Sequence, residues 1–224
     1  MKLTKRQKTW ANLDTEKVYS LSDAIETLRG YASKKFDESL EIAIKLGIDI
    51  TKADQNIRGM LSLPNGTGKT VRVAVFTVNS ADDAKKAGAD VVGGEELIEK
   101  VAGGEINFDR VIATPDMMPK MSKIARILGP KGLMPNPKLG TVTNNVAEAV
   151  KTAKAGQIEY RAEKKGIIHA GIGKMSFTTD QLVENANALI DQLKKVKPSS
   201  TKGQYILGAS VATTQGPGLK VDVK

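Results

Sequence analysis

The chain has 224 residues, 40% of them hydrophobic, which suffices for one large domain or two small ones with buried cores. It contains no cysteine and a single histidine, His169, which excludes disulfides, thiolate metal sites and multi-histidine sites. Lys and Arg number 34 against 25 Asp and Glu, a net charge of +9 that suits nucleic acid or an anionic membrane surface as partner, and equally a protein that is merely basic.

The first string, MKLTKRQKTW, is basic but lacks the apolar run of a signal peptide, and no stretch of about 20 apolar residues exists for a membrane span. A soluble, cytoplasmic protein with no membrane partner is expected. A helix is predicted over 20–34, with Ser22 as N-cap and Leu21, Ile25 and Leu28 at helical spacing. The clearest strand follows: Leu40, Ile42, Ile44, Leu46 and Ile48 face one way, and Ser39, Glu41, Ala43, Lys45 and Gly47 the other. The same parity sets Phe36 with the core residues. A shorter strand over 57–63 ends at the turn Pro64-Asn65-Gly66.

The pattern changes near Lys69. VRVAVFTV (71–78) is a β-branched run suited to a strand buried on both faces. A helix over 81–87, a strand at 90–92, a helix over 95–102, a strand over 109–114 and a helical stretch over 116–127, perturbed by Pro119, come next. A helix over 144–155, capped by Thr143 or Asn144, closes the region. Such alternation marks βαβ units on a parallel sheet. The older pattern then returns. A hairpin is expected from 157–162 and 166–172, then a helix over 179–196, capped by Thr178 or Thr179. Its stripe is Leu182, Ala186, Leu189 and Leu193, and Pro198 stops it. Strands at 204–213 and 218–223 flank the turn from Thr214 to Gly218. The terminal thirds share a style that the middle third lacks. This predicts one α+β domain from residues 1–66 and 158–224, with an α/β domain inserted as residues 67–157.

RILGPKGLMPNPKLGTVT (126–143) holds three of the eight prolines and the cations Arg126, Lys131 and Lys138. Proline donates no backbone hydrogen bond and pushes the preceding residue out of helical geometry, so a rigid, extended loop carrying positive charge is expected. Charge is sided along the chain: residues 67–116 sum to −3 and residues 117–157 to +6. The loop reads as a preformed surface for a polyanion.

Other motifs carry less. Gly66-Thr67-Gly68-Lys69-Thr70 resembles the end of a phosphate-binding loop, but Leu63 stands where the first glycine belongs and a strand follows instead of a helix. A hinge is the better reading. Gly93-Gly94 and Gly103-Gly104 read as strand–helix turns. His169 sits in a strand-like run as a packed or hydrogen-bonded imidazole, and no catalytic set assembles. No cofactor, metal or small-molecule substrate is expected. The turn Thr213-Thr214-Gln215-Gly216-Pro217-Gly218 suits contact with RNA 2′-hydroxyls and phosphates, and equally an ordinary hairpin. If it meets RNA, the Thr214 hydroxyl is the expected contact, with Lys202 off the surface.

Several strings carry a family resemblance: KFDES (35–39), DQNIRG (54–59), GKTVRVAVF (68–76), AGADVVGGEELIEK (87–100), FDRVIATPDMM (108–118), the proline loop, KAGQIEYR (154–161), KGIIHAGIGKMSF (165–177) and TQGPGLKVD (214–222). The sequence resembles the L-one family of large-subunit ribosomal proteins. The resemblance implies a split α+β RNA-binding domain with an inserted Rossmann-like α/β domain. It implies direct binding to large-subunit ribosomal RNA in the mobile stalk of the ribosome, contact with deacylated exit-site tRNA, and repression of the protein's own operon mRNA. By position it implies an RNA surface of Lys35, Phe36, Ser39 and Glu41, then Glu163 and Lys164, then Thr213, Thr214, Gln215, Gly216, Pro217 and Gly218. Arg126, Lys131 and Lys138 would form a secondary contact. Gln215 replaces a usual Met and Ser39 a usual Thr, while Gly208 and Ala212 stand where hydroxyl residues are common. The rival reading is a nucleotide-dependent enzyme built on the α/β region.

Overall fold

A computed structural model describes residues 4–201 and 203–223. Lys202 and the first three residues of the basic opening string lie outside the described residues. In chain order the elements are β1 (Val18–Tyr19), α1 (Leu21–Tyr31), β2 (Ser39–Leu46), β3 (Arg58–Ser62), β4 (Val73–Phe76), α2 (Ala81–Lys86), β5 (Val91–Gly93), α3 (Glu95–Ala102) and β6 (Arg110–Ala113). They continue with α4 (Met118–Met121), α5 (Ala125–Leu128), α6 (Val146–Lys154), β7 (Gln157–Arg161), β8 (Ile167–Lys174), α7 (Thr179–Lys195), β9 (Ile206–Thr213) and β10 (Gly218–Val221). The chain divides into two compact units, residues 1–68 with 158–224, and residues 69–157.

The first unit holds a five-stranded sheet in the order β1-β10-β9-β2-β8, antiparallel except where β1 meets β10. Strict alternation along β2 buries Leu40, Ile42, Ile44 and Leu46 and turns Glu41 and Lys45 to solvent. Helices α1 and α7 share the resulting core. The stripe Leu182, Ala186, Leu189 and Leu193 on α7 is fully buried, and a capping box between Thr178 and Gln181 starts the helix. Helix α1 is capped by Ser20, which accepts from Asp23 N at 3.1 Å. Ser22, the cap expected from the sequence, already lies inside the first turn.

β7 and β8 were expected to form a hairpin, but they meet only at the bridge Ala162↔Ile168. Each has a longer partner elsewhere: β8 aligns along β2, and β7 pairs with β3. The β2–β8 ladder skips Ile172 between its Leu40↔Gly173 and Glu41↔Gly171 pairs, a bulge that frees the Ile172 carbonyl. Asn185 of α7, fully buried, donates to that oxygen at 2.7 Å. Gly173 beside it has no room for a side chain, since a Cβ there would stand 2.6 Å from Leu182 Cδ2.

The second unit has a parallel sheet in the order β5-β4-β6, with β4 buried along its whole length. α3 and the short turns from Pro115 to Leu128 pack on one face, and α2 and α6 on the other. The stretch expected as one perturbed helix is a succession of 3-10 and α turns, Pro115–Met117, α4, Ser122–Ile124 and α5. Helix α6 is capped by Asn145, one residue beyond the expected Asn144. Thr143 instead accepts from Asn145 N at 3.1 Å and shapes the turn before the helix. The proline loop is not extended throughout. It holds a 3-10 turn at Pro137–Leu139, buries Pro135 and Leu139, and packs Leu133 and Met134 on the core. Its end joins the sheet through a parallel bridge from Val142 to Ala113. Apolar anchors, rather than proline stiffness alone, fix its course.

Candidate nucleic-acid interface

Parity counted back from Leu40 makes position 38, not 36, the next inward site. A carboxylate occupies it: the Glu38 side chain is fully buried. It accepts from Ser33 N at 2.7 Å, from Gln215 N at 3.2 Å and from Arg6 Nη2 at 2.6 Å. Burial pushes the Glu38 pKa up. The Thr213 hydroxyl, the Ser33 N–H, Arg6 and the Gln215 N–H together outweigh that and hold it at about 2. The Thr213 hydroxyl is itself buried and reaches no hydrogen bond of good geometry, so its influence on Glu38 is one of proximity.

Three segments distant in sequence therefore meet at one carboxylate: residues near Arg6, the loop from Ser33 to Asp37, and the turn after β9. A second tie runs alongside. Thr214 N donates to Ser39 O at 3.1 Å, and Ser39 N donates to Thr214 Oγ1 at 2.9 Å. The hydroxyl expected to be free for RNA is thus engaged in closing the turn onto β2. Gly216 completes the turn, because a Cβ there would come 2.2 Å from Thr213 Oγ1.

Around this junction Lys35, Thr214, Gln215 and Gly218 are exposed, while Thr213 and Pro217 are buried. Phe36 is 44% exposed. Its expected core position fails because β2 begins only at Ser39, so alternation does not extend back to it. The loop leaves Phe36 beside Lys34 and Lys35 as an aromatic face flanked by cations.

Glu163 and Lys164 do not join this cluster. They sit in the tight turn before β8, where Gly166 N donates to Glu163 O at 2.8 Å. The next backbone bond, Leu46 N to Gly166 O, ties that turn to the far end of β2. The two groups thus lie at opposite ends of an eight-residue strand, roughly 20–25 Å apart at the usual strand rise. Between them runs the helix-free face of the sheet. Glu41, Ala43 and Lys45 stand across from Ala212, Ser210 and Gly208 on β9, and from Gly171, His169 and Ile167 on β8. Small residues line its middle. His169 is not packed as expected: its side chain is 54% exposed, with Nε2 3.8 Å from Glu163 Oε2.

Arg126, Lys131 and Lys138 belong to the other unit and are all exposed, and among the described residues none of them is in an ion pair. The glycine-lysine segment 66–70 leads into β4, not into a helix, so no phosphate-facing helix terminus follows it.

Sequence reasoning missed Arg6 and Glu38. The parity of β2 held the signal for Glu38, since an acidic residue at an inward position requires a partner. Nothing local to residue 6 pointed to its place.

The model of the ribosomal protein L1p/L10e family matches residues 28–217. The chain belongs to that family. The match spans β2, β8, β9 and the turn after β9. Members of the ribosomal protein L1p/L10e family are structural, RNA-binding proteins of the large ribosomal subunit rather than enzymes. Ribosomal RNA and the ribosome are accordingly its partners. Among the described residues no helix is long and apolar enough to cross a membrane.

Proposed function

We propose that the chain binds large-subunit ribosomal RNA directly and serves as a structural part of the mobile stalk. The observation that carries this reading is the Glu38 junction, which fixes separate segments beside exposed Lys35, Phe36, Thr214 and Gln215. A surface organised before binding loses little entropy when it meets a folded RNA. Lys35 supplies a phosphate contact and Phe36 a stacking face. Ser39, Glu41 and the backbone of the turn from Thr213 to Gly218 take sugar and phosphate groups, and Glu163 with Lys164 forms the second point of contact.

In this reading residues 1–66 and 158–224 are one split α+β RNA-binding domain. Residues 67–157 are an inserted Rossmann-like domain whose Arg126, Lys131 and Lys138 add a secondary electrostatic contact. Family membership and the quoted strings support the finer roles: release of deacylated tRNA from the exit site, and repression of translation on the protein's own operon mRNA. The work is done in the cytoplasm without cofactor or small-molecule substrate. Crosslinking in cell extract, followed by sequencing of the bound RNA, tests the whole reading. Enrichment of large-subunit ribosomal RNA, exit-site tRNA and the protein's own mRNA is expected. Recovery of RNA in proportion to its abundance would overturn it, and saturable heat on titration with ATP or NAD would favour the enzyme reading.

A further inference from the structure

Residues 4–13 carry a 3-10 turn, Gln7–Trp10, none of whose residues is buried. Among the described residues of this segment only Leu13, at its end, packs on the core, so the place of residues 4–10 must come from particular contacts. The Arg6 guanidinium supplies the main one. One nitrogen donates to the buried Glu38 carboxylate at 2.6 Å, and the other donates to the Gln215 side-chain oxygen. The same guanidinium lies 5.8 Å from the centroid of the Trp10 ring, and Trp10 meets Tyr31 edge to face at 6.5 Å. Arg6 is a fork that only a planar, two-pronged cation fills.

The segment flanks the junction without covering it. With residues 4–13 seated, Lys34, Lys35, Phe36, Thr214 and Gln215 all keep solvent-accessible surface. Lys5 and Lys8 do so as well and belong to no ion pair among the described residues. The seated segment therefore extends the basic surface of the junction instead of occluding it. We propose that residues 4–10 are a third limb of the RNA interface, with Lys5 and Lys8 contacting phosphates next to the Thr214 turn and Arg6 acting as the positioning residue that seats them. This rests on the RNA-binding reading above.

Titration of transcribed large-subunit ribosomal RNA over a range of salt concentrations tests it. Removing one lysine–phosphate pair makes the log–log salt slope shallower by about 0.7–0.9. The double variant Lys5→Ala/Lys8→Ala should therefore bind with a slope shallower by roughly 1.5 and with affinity about tenfold lower at low salt. Lys194→Ala/Lys195→Ala, which removes the same charge from exposed positions at the end of α7, should keep the wild-type slope. Arg6→Lys keeps the charge but cannot bridge Glu38 and Gln215 together, so it should show the shallow slope too. Equal slopes in wild type and Lys5→Ala/Lys8→Ala would overturn the proposal, as would equal reductions in both double variants. Tighter binding by Arg6→Lys would show the segment to be a cover and would overturn it as well. Failure of the wild type to bind with any salt dependence would instead sink the RNA-binding reading itself.

Discussion

A carboxylate moved out of water costs several kcal/mol unless its charge is met by donors. Glu38 is met from two directions, by backbone N–H groups of two loops and by Arg6. Its pKa lies at about 2 against an ordinary 4.5. A depressed carboxylate contributes stability that is complete above its unfolded pKa and is lost as pH falls through the folded value. The contribution is of the order of 3 kcal/mol at neutral pH. Glu38→Gln should remove most of it and flatten the loss of stability between about pH 4.5 and pH 2, read by chemical denaturation across that range. Thr214→Val should cost about 1–2 kcal/mol in a thermal or denaturant melt, because Ser39 N loses its acceptor. RNA affinity should fall with it, since the turn is then less firmly held. A Thr214→Val protein that melts like wild type while binding tenfold more weakly would assign the hydroxyl to RNA instead of to Ser39.

The elements differ in how plainly the sequence announces them. β2 and α7 were legible because their periodicity is unbroken and, for α7, the cap is a hydroxyl residue with a glutamine three places on. The β4 run was legible because a strand buried on both faces needs little but β-branched residues. The partnership of β7 and β8 was misread, since proximity in sequence favours a hairpin and the competing partners lie over a hundred residues away. Ser39, Thr214 and Gln215 were singled out from the sequence, but their meeting around Glu38 was not. Ser39 and Thr214 are 175 positions apart, and Glu38 and Gln215 are 177 apart, so no local pattern encodes their meeting. Asn185 illustrates how such distant ties hold elements. Besides taking the carbonyl freed by the Ile172 bulge, it donates to Gly66 O at 3.0 Å and accepts from Asn65 N at 3.1 Å. Asn185→Ala leaves all three groups without their partner. A loss of about 2–4 kcal/mol is expected in denaturant unfolding, because an unpaired buried group costs about 1–3 kcal/mol and two of the three, Gly66 O and Asn65 N, are only partly buried and cost less. A change below about 0.5 kcal/mol would mean that water replaces the amide.

At the scale of the molecule, the core of the split unit draws its residues only from 24–63 and 158–221, and its partly buried margin from 13–223 outside the second unit. The two cores of the second unit draw only on residues between 73 and 153. Among the described residues each core is filled from its own unit, which is the physical condition for folding alone. The exit and return of the chain are also close. Ala162 N donates to Ile57 O at 2.9 Å, which sets the start of β3 against the end of β7. The end of β3 then meets the start of β7, so a linker of a few residues can replace residues 67–157. A chain joining 1–66 to 158–224 in this way should fold cooperatively and keep most of its affinity for large-subunit ribosomal RNA. Its salt slope should be shallower by the contribution of Arg126, Lys131 and Lys138, up to about 2–3 units if each meets a phosphate. Both quantities come from one set of titrations. A folded, shortened chain that has lost specific binding would move the main interface to the second unit and its proline loop.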